Sequence, residues 1–109
     1  MTKFIATFSD GQTIVRNSDR AYAFAYAVIG PCGIIKNSGF SADRANAAKA
    51  AEASLPKGIT TRDRKHPSIR RYHAQLAKAE GLTYEQWVKK VDDDAAARRA
   101  ALRVEIVAL

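Results

Sequence analysis

The sequence predicts an α+β fold: a small antiparallel sheet made of a β-hairpin plus one strand, two alanine-rich helices, and a C-terminal helical hairpin. Three observations predict it. Alternating apolar residues flank an Asp-Gly pair near the N-terminus, two stretches are rich in alanine, and Leu82-Thr83-Tyr84-Glu85-Gln86-Trp87 carries the start signal of a helix. At 109 residues the chain reads as one domain. Its expected organisation is a ββαβα portion over 1–56, a basic connector over 57–66 and a helical portion over 67–109.

Lys3–Ser9 and Gln12–Arg16 form the hairpin, joined at Asp10-Gly11. Asp-Gly suits a two-residue turn in which both central residues take positive φ. Such a turn sets Phe8 opposite Thr13, Ala6 opposite Val15 and Phe4 opposite Asn17. Phe4, Ala6, Phe8 and Val15 then share the core face. The next stretch, Ala21 to Val28, alternates small and aromatic residues, which suits a strand. Its four alanines and the preceding Asn17-Ser18-Asp19 suit a helix. Helix is the reading adopted, with Phe24 and Val28 as an i, i+4 pair towards the sheet.

Gly30-Pro31-Cys32-Gly33 ends that element, and Ile34–Asn37 is a short third strand. Ser41 is expected to cap a second helix from Ala42 to about Ser54, stopped by Pro56 and Gly58. The stretch Ile14–Ala21 is faintly echoed by Ile34–Ser38 and Asp43–Ala45, each reading as strand, polar corner, helix. Pro67–Glu80 forms a helix with Ile69, Tyr72 and Leu76 on its inner face, and Gly81 stops it. Thr83 and Gln86 form a capping box, with Leu82 and Trp87 at the staple positions, so a helix begins at Tyr84. Asp92-Asp93-Asp94 offers a break or second cap before the last segment, Ala95–Leu109. Val104, Ile106, Val107 and Leu109 crowd that segment, and they either close the core or form a homodimer.

Composition narrows function. Hydrophobic residues at 47 % and charged residues at 27 % exclude a disordered chain. The formal net charge of +7 favours an anionic partner: nucleic acid, a nucleoprotein or an acidic protein surface. The single cysteine, Cys32, cannot form an intramolecular disulfide, and it reads as a buried structural thiol in a cytoplasmic protein. No apolar run suits a signal peptide or a membrane span.

Catalysis requires activated groups, and none is evident. His66 and His73 are too far apart on one helix to share a metal. The three aspartates lack the glycine and spaced oxygens of a calcium loop. No glycine-rich phosphate loop exists. The expectation is therefore a non-enzyme with no metal and no cofactor.

The basic segment is the candidate site. Lys57, Arg62, Arg64, Lys65, Arg70 and Arg71 stand against one acid, Asp63, before His73. Arginine grips phosphate and carboxylate in two-pronged fashion. Tyr72 and His73 interleave rings with these cations, a pattern used for stacking on bases. The partner-binding set is therefore Lys57, Arg62, Arg64, Lys65, Arg70, Arg71 and His73. A solvated charged face is the plain alternative.

Two resemblances add to this. Leu76–Trp87 resembles the centre of a helix-turn-helix motif, with Ala77, Gly81, Leu82 and Trp87 at matching positions. Glu80 and Lys90 depart from the pattern, since both positions are usually apolar. That resemblance implies a DNA-binding regulator reading the major groove through Thr83–Lys90. Phe8–Thr13, Asn17–Tyr22 and Gly39-Phe40-Ser41 resemble short accessory proteins of bacteriophages, anti-CRISPR-type inhibitors among them. This second resemblance implies a stoichiometric inhibitor in the host-cell cytoplasm, docking on a host protein or nucleoprotein complex. It carries no residue roles, because that group shares no common motif.

Overall fold

A computed structural model describes residues 1–109, with two antiparallel sheets and four helices, an α+β fold. The chain forms two compact units, Met1–Leu55 with Ala101–Leu109, and Pro56–Ala100. No helix is long and apolar enough to cross a membrane.

In the first unit, β1 (Thr2–Thr7) and β2 (Thr13–Ser18) form the expected hairpin, but its register differs by one residue. Ala6 faces Ile14, Ile5 faces Val15 and Phe4 faces Arg16. The turn is the cause. Gly11 N–H donates to the Phe8 carbonyl at 2.9 Å, and Phe8 N–H donates to the Gln12 carbonyl at 2.9 Å. Only Gly11 has positive φ, at 86°. This is a three-residue loop ending in a left-handed glycine. A slip of one residue exchanges the faces of a strand. Ile14 therefore joins the core, while Val15 is left 54 % exposed. The Gln12 backbone N–H bonds to Asp10 Oδ1 at 3.0 Å, and the Gln12 side-chain amide bonds to the same carboxylate. With Arg103 nearby, these bonds hold the Asp10 carboxyl below its usual range. The ionised form supports the turn above the ordinary carboxylate range, and that support is lost as pH falls through the lowered value.

The helix expected over Ala21–Val28 is instead a strand, β3 (Phe24–Ile29). It is the central strand of a sheet ordered β4–β3–β5, with β4 at Ile35–Ser41 and β5 at Arg103–Ala108. Ala25, Ala27 and Ile29 face Ala6 and Phe8 of the hairpin in one buried cluster. Small alanines let the hairpin approach, so burial on both faces overrides alanine's helix preference. The β3–β4 turn repeats the first one: Gly33 N–H bonds to the Gly30 carbonyl, Gly30 N–H to the Ile34 carbonyl, and Gly33 has φ of 79°. Of the two echoed stretches, only the second runs from strand into helix, β4 into the helix at Arg44–Ala53, while the first runs from β2 into β3. The Gln12 side chain also bonds to the Gly33 carbonyl, tying the two turns together. Cys32 sits on this second turn and is exposed, not buried as expected.

The second alanine-rich stretch does form a helix, α1 (Arg44–Ala53), which packs on β3 and β4 through buried Ala47 and Ala51. Its cap is Asp43, whose carboxylate accepts the Asn46 amide at 2.7 Å. Ser41, the expected cap, belongs to β4. The C-terminal residues, expected to be helical, form β5 instead. Their alternation suits a sheet edge: Val107 packs into the core cluster, and Glu105 accepts the Ser9 amide at 3.1 Å.

The second unit holds α2 (Thr61–Lys65), α3 (Pro67–Ala79) and α4 (Tyr84–Ala100). The connector expected over 57–66 thus contains a short helix. At the end of α3, Leu82 N–H bonds to the Ala77 carbonyl and Gly81 N–H to the Lys78 carbonyl. With Gly81 at φ of 71°, this is a Schellman stop. The capping box then starts α4: Gln86 N–H donates to Thr83 Oγ1 at 3.2 Å, and Thr83 N–H donates to Gln86 Oε1 at 3.0 Å. The helix runs through Asp92-Asp93-Asp94 without a break. Asp92 instead reaches sideways, accepting the Ile59 amide at 2.9 Å and the Arg64 guanidinium at 2.8 Å. Replacing Thr83 by Ala is expected to cost about 0.5–2 kcal/mol. Urea unfolding checks this, and an unchanged midpoint removes the box from the account of the helix start.

Candidate partner-binding surface

The basic segment runs through α2 and the first half of α3. Thr60 caps α2, its hydroxyl accepting the Asp63 amide at 3.1 Å. Pro67 opens α3, where its missing N–H costs nothing. Ile69, His73, Leu76 and Ala77 turn inwards on α3. Tyr72, expected inside, is 58 % exposed. His73 takes the inner place because Trp87 needs an acceptor: its indole N–H donates to His73 Nδ1 at 3.0 Å.

The expected site residues divide into two groups. Arg64 is paired with Asp92, and His73 is engaged by Trp87. Arg70 lays its guanidinium over the Tyr84 ring, 4.4 Å from the centroid. These three side chains serve the fold in part. Arg62, Lys65, Arg71 and Lys57 are exposed, and none takes part in an ion pair. Sequence reasoning left out Lys78, which lies seven residues after Arg71 and so shares its face of α3. The signal was available, since α3 contains no acidic residue at all.

A groove of about 520 Å³ lies beside this surface. Arg64, Arg70 and Lys89 line it together with Glu85, Asp92 and Asp93. Its charges balance, so it offers no attraction to an anion as a whole. The unbalanced charge is on the α2–α3 surface outside the groove.

The residues that departed from the helix-turn-helix pattern have found each other. Lys90 Nζ lies 3.9 Å from Glu80 Oε2, and both remain about half exposed. Thr83 and Gln86 are bonded to one another at the helix start. Compared with protein-family models, with curated proteins and with solved structures, the chain matches none. No cluster of three or more His, Cys, Asp or Glu side chains is placed to hold a metal ion.

Proposed function

We propose that this protein is a non-enzymatic inhibitory binding protein of the phage accessory kind, which docks on a host nucleoprotein or nucleic-acid-binding complex. Its docking surface is built on Lys57, Arg62, Lys65, Arg70 and Arg71, extended by Lys78. One observation carries the reading: α3 holds Arg70, Arg71 and Lys78 without a single carboxylate, while Arg62, Lys65 and Arg71 stand exposed and free of ion pairs. An unneutralised row of this kind attracts polyanions over a Debye length and costs some self-repulsion when left uncovered. Major-groove reading by α4 is less well supported. Its first turn presents Glu85, and Gln86 is occupied by its own cap.

The test is charge reversal at residues the fold does not use. Arg62→Glu with Arg71→Glu is expected to abolish capture of the nucleoprotein target from host lysate while the circular dichroism stays native. Against a nucleic-acid partner, the slope of log affinity on log salt should fall by about two, one for each lost phosphate contact. Undiminished capture by the folded double variant refutes the reading.

A further inference from the structure

The exposed ring of Tyr72 does not stand alone. Its centroid lies 5.3 Å from that of His73, and His73 lies 6.4 Å from Trp87. The three rings form a row across α3 and α4. The Trp87 indole bond to His73 Nδ1 fixes the inner two rings relative to each other. The outer ring, Tyr72, is 58 % exposed and so meets solvent with much of its surface. Cations accompany the row: Arg71 precedes Tyr72 in the chain, and Lys90 Nζ sits 5.7 Å from the Trp87 ring centroid. The acid beside it, Glu80, is paired with Lys90.

An exposed ring on a basic surface has a specific use. Every nucleobase has a π-face, so a ring on a basic surface binds any unstacked base while the cations follow the phosphates. Duplex DNA keeps its bases stacked on one another and offers none of these faces. An acidic protein surface can also cover the cations and a phenol ring, but it has no counterpart to the preference for a single strand over a duplex that the probes below read. We infer that the row Tyr72–His73–Trp87 with Arg71 is a stacking platform for single-stranded nucleic acid, and that Tyr72 is its contact residue. This inference rests on the docking surface proposed above and deepens it: the part of the nucleoprotein that is touched is an exposed strand.

Oligothymidylate and a duplex of equal length are the probes, read by fluorescence anisotropy at about 0.15 M salt. The full-length protein should bind the single strand several-fold more tightly than the duplex. The chain has one tryptophan, so its emission reports on the row directly, and the single strand should quench it. Tyr72→Leu should weaken single-strand binding by about tenfold, within the range for losing one stacked base. Tyr72→Phe should bind like the parent, because it keeps the ring. Equal or tighter duplex binding, or a Tyr72→Leu variant with parental affinity, overturns the platform. If oligothymidylate does not bind while the Arg62→Glu, Arg71→Glu variant still loses its nucleoprotein target, the platform fails and the docking surface stands. If that variant keeps its target, the docking surface itself fails.

Discussion

Replacing Phe8 by Ala is expected to destabilise the protein by about 3–5 kcal/mol, the usual cost of removing a buried phenyl ring. Phe8 is 3 % exposed and sits in the cluster with Ala6, Ala25, Ala27 and Ile29. Three of the other four fully buried members are alanines, too short to fill the space a phenyl ring would leave. Small domains have only about 5–15 kcal/mol in total, so the loss is a large share. Urea unfolding should show a lower midpoint with an unchanged slope. Val15→Ala serves as the control, since Val15 is more than half exposed and the loss there should be small. If the two substitutions cost the same, the hairpin register described above is wrong.

The second large effect is expected at Gly58, for a steric reason and not a conformational one. A Cβ at this position would lie 2.9 Å from the Asp92 Cα and 2.9 Å from its Cγ. The first of these is main chain, so no rotamer change relieves it. Gly58→Ala must push the connector away from α4 and stretch the Ile59 amide bond to Asp92. Overpacking of this kind costs about 1–3 kcal/mol, occasionally more. Thermal unfolding gives the loss, and faster hydrogen exchange at the Ile59 amide locates it. A variant with parental stability would show that the connector does not rest on Asp92.

Much of this fold was legible from local signals, and the failures are instructive. Thr83 and Gln86 announced the start of α4 because both partners of the box lie within three residues. The hairpin was announced by Asp10-Gly11, yet its register was not. Asp-Gly fits the centre of a two-residue turn and also the end of a three-residue one, and only the φ of Asp10 separates them. In β3 the alternation was the true signal and the alanine count misled. Alanine favours helix only while nothing covers it, and Ala25 and Ala27 are fully covered. β5 carried a polar–apolar alternation over Arg103–Ile106, but its partner β3 lies far back in the chain.

The site was legible in the same uneven way. The cations were countable, and the lack of acids in α3 was there to be read. Which cations were free was not, because their partners are remote. Arg64 meets Asp92 and His73 meets Trp87 only once α4 has folded back. Ile69 is continued equally well by position 72 or 73 on a helix, so the spacing alone does not decide which ring faces outwards.

The order in which these strands meet has a consequence during synthesis. β3 is made early, and β4 joins it at once through a short turn. Its other neighbour, β5, is made only after all of Pro56–Ala100, yet Phe24 ends beside Ala108. Such distant pairing must close a long loop before it gains any contact. Until then the central strand of the sheet is an edge strand, with a row of unpaired amides and carbonyls beside its apolar side chains. Nascent or unfolding chains are therefore most open to misassembly along this one edge, where another copy's strand can take the place kept for β5.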